Sequence, residues 1–195
     1  MRIPKDTALL IIDMQNAIDD PKWGPRNNPG AEDNIAALLV AWRGAGFPVV
    51  HIRHDSAEPA SPYRPGQSGN AFKARAAPQD GEAVVAKQVH SAFIGTELEA
   101  LLTRAGRTTL VVCGVLTNNS VESTVRHAGD LGFRVFVVSD ACWAVDRRGV
   151  SGELWPAEAV HHMALANMSR EFAGVADTSQ AVAAVAARRV SPRRG

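Results

Sequence analysis

One alternation runs through most of the chain: a short, wholly apolar, β-branched run, then a stretch with helical spacing. Thr7 to Ile12, Pro48 to Ile52, Ala83 to Ala86, Thr108 to Cys113, Arg134 to Val138 and Gly174 to Ala176 read as strands. Between them, Ala31 to Gly46 sets Ile35, Leu38, Leu39 and Trp42 on one helical stripe. Further helices follow the capping-box spacing Thr96-Glu-Leu-Glu99, run over Ser120 to Leu131 and Pro156 to Phe172, and end the chain after Asp177-Thr-Ser-Gln180. Most of the strands show no polar alternation and must be covered on both faces, which a parallel sheet between helical layers provides. The expected fold is a three-layer α/β/α domain around a central, mostly parallel six-stranded sheet, Rossmann-like, with right-handed crossovers. Residues 1–187 form that single domain, and the basic stretch 188–195 reads as a frayed, solvated tail.

Charge and cysteine content narrow the function classes. A formal net charge of +1 gives no global basic field for nucleic acid. The first apolar run, Ala8 to Ile12, is too short for a membrane span or a secretory signal. Two cysteines, Cys113 and Cys142, make no disulfide framework and suit a reducing cytosol. A cytoplasmic enzyme with neither a nucleic-acid nor a membrane partner is the expectation. One connection departs from the rule of short links. Arg53 to Glu82 spans about thirty residues with four prolines and three glycines, a length that within a compact domain marks a functional cover or a disordered segment.

Ligands of open parallel sheets bind outside the carboxyl ends of the strands. Asp13 stands at the first such end, His51-Ile-Arg-His-Asp55 at the second, Lys87 at the third and Cys113-Gly-Val-Leu-Thr-Asn-Asn-Ser120 at the fourth. An acid, a lysine and a hydroxyl at a helix start form a set that nucleophilic catalysis can use. Each alone has an ordinary reading: Asp13 as a turn cap, Lys87 as a solvated strand end, Asn119 or Ser120 as a helix cap in Asn119-Ser-Val-Glu122. No G-x-G-x-x-G follows a strand, no phosphate-binding G-x-x-x-x-G-K-[ST] occurs, and Ser120 lies outside a G-x-S-x-G elbow. His51 and His54 point to opposite faces of their strand and have no completing pair, so no metal is expected. Both cysteines read as packing residues.

Three ordered blocks carry a family resemblance. Leu9-Leu-Ile-Ile-Asp-Met-Gln-Asn16, Lys87-Gln-Val-His-Ser-Ala-Phe-Ile-Gly-Thr96 and Val112 to Arg126, followed by Val137-Val-Ser-Asp-Ala141, resemble the isochorismatase-like cysteine hydrolases over nearly the whole chain. The resemblance implies a triad of Asp13, Lys87 and a cysteine at position 120, where this chain has Ser120. It also implies a cis peptide between Val115 and Leu116, with the backbone N–H groups of Leu116 and Ser120 facing a developing oxyanion. No cofactor is implied, and members are homodimers or homotetramers.

The expected activity is hydrolysis of a non-peptide C–N bond, amide or ureide, in a small molecule. Ser120 is read first as a Cys→Ser replacement that leaves the site impaired. If serine is native, two alternatives stand: a vinyl ether hydrolase of the isochorismatase type with Asp13 as acid, and a ligand-binding protein on a retired hydrolase scaffold. The insert Ser61 to Phe72 resembles a subgroup acting on assorted small amides and ureides. Candidate pocket walls are Trp23, Asn27, Tyr63, Phe93, Asn119, Trp143 and Trp155.

Overall fold

The computed structural model describes residues 1–189. Its elements are β1 (Ala8–Ile12), α1 (Ala31–Ala45), β2 (Val49–His54), β3 (Ala83–Lys87), α2 (Leu98–Arg104), β4 (Thr109–Val115), α3 (Glu122–Asp130), β5 (Arg134–Trp143), β6 (Arg147–Arg148), β7 (Leu154–Trp155), α4 (Ala157–Met168), β8 (Ala173–Ala176) and α5 (Thr178–Arg189). Six strands form one sheet in the order β3-β2-β1-β4-β5-β8, every neighbouring pair parallel. The chain builds outward from β1 to β3, then returns to place β4 on the other side of β1. The crevice beyond the carboxyl ends of β1 and β4 is therefore the topological switch point. All residues of β1 and β4 are buried, as strands covered on both faces require. The general rule of right-handed crossovers assigns α1 to one face of the sheet and α3 and α4 to the other; α3 packs on α4, and α5, which follows the last strand, packs on α1.

Several boundaries differ from the sequence expectation, each for a local reason. β5 continues past Val138 to Trp143, because a bulge shifts its pairing with β4 between Val112↔Val137 and Gly114↔Cys142. Cys142 and Trp143 thus belong to the sheet. The helix after β4 does not open at Ser120: residues Thr117–Val121 make a wide π turn, with the Val121 N–H donating to the Leu116 carbonyl at 3.2 Å, before α3 starts at Glu122. α4 stops at Met168, since Ser169 is extended and Arg170 turns at φ 72°. α5 includes Arg188, whose Nε donates to the Ile3 carbonyl at 2.6 Å, so the helix extends past the boundary expected at 187. The rest of the expected tail, 190–195, lies outside the described residues. The small hairpin β6–β7, antiparallel, had no counterpart in the sequence reading.

The long connection from β2 to β3 is an ordered cover. Gln15, fully buried, donates through Nε2 to the His54 and Asn70 carbonyls and accepts from the His54 N–H. Asn70 in turn donates to the carbonyls of His54 and Tyr63 and to Asp55. Backbone bonds Asn16 N to Ala71 O and Lys73 N to Met14 O tie the far end of the loop to the segment after β1. Among the described residues, no helix is long and apolar enough to cross a membrane.

Candidate functional site

Three strand ends deliver the expected residues to one place. Asp13 follows β1 at φ 52°, a left-handed turn that takes its side chain out of the strand's alternation. Lys87 is the last residue of β3 and is 1% exposed, not the solvated end its position first implies. Ser120 sits in the π turn after β4. Close approach of β4 to β1 here depends on Gly114, at φ 120°, where a Cβ would fall 2.2 Å from the Ile12 carbonyl oxygen. The Val115–Leu116 peptide that follows is cis.

At the centre lies the Lys87 ammonium. Its Nζ donates to Asp13 Oδ2 at 2.7 Å and to Ser120 Oγ at 3.2 Å, and lies 3.4 Å from His54 Nδ1. Asp13 Oδ1 is buried and has no hydrogen-bond partner among the described residues, so one carboxylate oxygen is spare. Neither Asn119 nor Ser120 makes a helix-capping bond, which sets aside the cap reading for both. The hydroxyl of Ser120 engages lysine instead.

These groups open into a cleft of about 280 Å³ lined by Asp13, Ser120, Leu116 and Asn119 on the sheet side and by Trp23, Tyr63, Ser56, Glu58 and Ser61 from the loops. Trp23 and Tyr63 meet edge-on at 6.3 Å between centroids, and the Trp23 indole is anchored by donating to the Ala17 carbonyl. Burial keeps the Tyr63 phenol protonated, its pKa pushed well up. Leu116 and Ser120, the expected oxyanion-hole positions, both line the cleft. A larger hollow, about 440 Å³, lies at the opposite, amino edge of the sheet against Phe47, Arg43 and Glu82, and contains none of the three central residues.

Four expected walls do not line the cleft. Trp143 is buried in β5, with the Arg26 guanidinium over its ring at 4.3 Å. Phe93 packs on Phe133 at 5.8 Å and against His127, away from the cleft. Asn27 is a latch: its Oδ1 accepts from the Ala144 N–H at 2.8 Å and its Nδ2 donates to Glu158. Trp155 is about half exposed on β7, its indole donating to Glu153. Sequence reasoning in turn missed Ser56, Glu58, Ser61, Gln88 and His90 as lining residues, and His54 as a neighbour of Lys87. The register His54↔Lys87 between β2 and β3 is the signal that locates His54, and it exists only once the sheet order is known.

Two cysteines and two histidines stand apart from the cleft. Cys113 and Cys142 are fully buried; burial pushes the Cys113 thiol well up and the Cys142 thiol up to about 12, so both stay protonated. His161, lowered by burial, bonds Thr117 Oγ1 through Nδ1 at 2.8 Å, while its neighbour His162 is exposed and pairs with Glu158. Among the described residues, no group of three or more His, Cys, Asp or Glu side chains is placed to hold a metal ion.

The isochorismatase domain family matches residues 7–180 of the chain. The isochorismatase family protein YrdC of Bacillus subtilis is 41% identical over 175 residues, spanning 90% of this chain and 94% of that protein. The ureidoacrylate amidohydrolase RutB of Variovorax paradoxus is 31% identical over 171 residues, 70% of this chain and 68% of that protein. A crystal structure of a hydrolase of the isochorismatase family from Chromobacterium violaceum superposes with a TM-score of 0.94 at 52% identity, covering 96% of this chain and 97% of that one. Sequence match, sheet order and the cleft at the β1–β4 switch point agree: the chain is a hydrolase of the isochorismatase family.

Proposed function

We propose that the cleft hydrolyses a non-peptide C–N bond, amide or ureide, of a small molecule, with position 120 as the nucleophile. The observation that carries this reading is the Lys87 ammonium bonded at once to Asp13 and to Ser120 Oγ on the wall of the cleft. An ammonium that donates to the hydroxyl cannot also take its proton, so the acceptor is the spare oxygen of Asp13. In the reaction, the atom at position 120 attacks the carbonyl carbon and its proton passes to Asp13. Asp13 then protonates the leaving nitrogen, and ammonia or an amine departs. Water, deprotonated by Asp13, cleaves the acyl-enzyme, and the proton returns to position 120. The N–H groups of Leu116 and Ser120 are the donors for the oxyanion. The name of RutB, an amidohydrolase, supports the C–N assignment.

Serine makes this chain slow. A thiol titrates near ~8.5, and a neighbouring ammonium brings it to the thiolate at neutral pH. An alcohol lies far above that range, and an ion pair already shared between lysine and aspartate does not close the gap. A second reading, in which Asp13 protonates a vinyl ether, draws on the same spare Asp13 oxygen and needs no nucleophile at position 120.

Ammonia and amine release from a panel of small amides and ureides, by this chain and by Ser120→Cys, tests the assignment. Turnover by the cysteine variant at least about 100-fold above the serine chain is expected. Silence of both proteins on the panel with cleavage of isochorismate establishes the vinyl ether reading instead. Silence on every substrate, with ligand binding retained, marks a binding protein.

A further inference from the structure

His54 ends β2 directly opposite Lys87 on β3, and its backbone is clamped before its ring does anything. The buried Gln15 accepts from the His54 N–H at 2.8 Å and donates to its carbonyl at 3.0 Å, and Asn70 donates to the same carbonyl at 3.2 Å. The ring meets Tyr63 edge-on, 5.5 Å between centroids. This support leaves Nδ1 at 3.4 Å from Lys87 Nζ. A lysine ammonium has three N–H donors and no acceptor. Around Lys87 stand three acceptors: Asp13 Oδ2 at 2.7 Å, Ser120 Oγ at 3.2 Å and His54 Nδ1 at 3.4 Å.

That inventory fixes the tautomer, since a ring nitrogen facing an ammonium must be bare and the ring proton then sits on Nε2. We propose that His54 is a positioning residue: a neutral Nε2–H imidazole whose bare Nδ1 takes the third proton of the Lys87 ammonium and so holds another N–H on the atom at position 120. With only two acceptors the ammonium would turn about its Cε–Nζ bond and strand an N–H in a closed site, which disfavours the charged amine that the nucleophile needs. The surroundings support the neutral ring. Burial first, then the charge of Lys87 with a further contribution from His90, lowers its pKa, against the opposing pull of Asp13 and Asp55. Tyr63 faces it uncharged. The inference rests on the arrangement of Asp13, Lys87 and position 120, and needs no particular substrate.

Alkylation of the Ser120→Cys protein by iodoacetamide at pH 7 reads the nucleophile directly, because Cys113 and Cys142 are fully buried. Adding His54→Leu, which has no acceptor, lowers the alkylation rate constant about tenfold, whereas His54→Gln, whose Oε1 can accept from Lys87, stays within about threefold of the parent. Equal rates in both variants, whether at the parent level or equally reduced, overturn the proposal. On the unaltered chain, imidazole nitrogen NMR assigned with His54→Gln finds Nδ1 bare and Nε2 protonated at pH 7; a proton on Nδ1 overturns it even if the leucine variant fails to fold. Neither measurement uses a substrate, so a failed amide panel leaves both results standing.

Discussion

Two polar clusters flank β2, and each is built from a histidine, a carboxylate and a cationic side chain. One joins His51, Glu82 and Arg43; the other joins His54, Asp13 and Lys87. In the first, the carboxylate is saturated. Glu82 accepts two bonds from Arg43 at 2.7 and 2.8 Å, one from the Gln79 N–H at 2.8 Å, and pairs with His51 Nε2 at 2.8 Å. In the second, one Asp13 oxygen has no partner among the described residues, and the cluster faces a cleft that also presents a hydroxyl. The first cluster ties the end of the long connection to α1 and β2. The second holds a reactive geometry open. Composition cannot separate the two; the spare lone pair and the access to the cleft do. An unpaired buried atom alone is no signature of function, since among the described residues His51 Nδ1 is also unpartnered, and His51 does not line this cleft.

The sharpest way to break this contrast is to neutralise each acid in the Ser120→Cys background and measure amine release. Asp13→Asn removes the proton acceptor and is expected to lower kcat about a thousandfold, within the range general acid–base catalysis supplies. Glu82→Gln, measured on folded protein, changes kcat less than about threefold, because the effect of a structural pair does not grow in the transition state. Comparable losses in the two variants would dissolve the distinction.

How much of this was legible in the sequence follows from what each residue depends on. Asp13, Lys87 and Ser120 stand at or just beyond the ends of apolar runs, and a parallel sheet brings such ends to one edge whatever the side chains do, so hydrophobic patterning alone places them. The walls depend on which way an aromatic faces. Trp143 was expected beside the site because β5 was expected to end at Val138; the bulge that carries the strand to Trp143 leaves no periodic trace. Trp155 lies on a two-residue strand, below the length at which alternation can be read. His54 read only as a weak metal candidate. Its alignment with Lys87 is a matter of register, and its clamp, Gln15, is 39 residues away in the chain.

Stability sharpens the comparison from the other side. Glu82→Gln loses the charged partner of Arg43 and forces an amide N–H into a cluster of donors, at an expected cost of about 2–3 kcal/mol. Urea denaturation should show a lower midpoint with an unchanged m-value. The same variant flattens part of the acid response. Partial burial opposes ionisation of Glu82, but Arg43, the Gln79 N–H and His51 outweigh it and bring the carboxyl down to about 2. A carboxyl lowered on folding contributes stability that is complete above its unfolded pKa and is lost as pH falls toward the folded value. The parent should therefore lose stability between about pH 4.5 and pH 2 more steeply than Glu82→Gln.

The smallest effect separates the clusters by pH. His54 is lowered by burial and then by Lys87, so it is neutral at pH 7 and gains its proton somewhere below the ordinary histidine value of about 6.5. Between those two values the unfolded chain binds a proton that the folded chain refuses, and acidification costs some stability there. The functional consequence is larger than the structural one. An imidazolium cannot accept from Lys87 and sets a like charge 3.4 Å from its ammonium. Turnover by Ser120→Cys is thus expected to fall about tenfold on acidification while the far-UV circular dichroism and tryptophan emission remain native, since Glu82 keeps its charge until about pH 2. In His54→Gln the corresponding limb disappears, because the amide accepts from Lys87 at every pH. A loss of activity that tracks unfolding, or an acid limb unchanged by His54→Gln, would mean that both histidines of β2 serve the scaffold and that the site has no pH-sensitive member of its own on that strand.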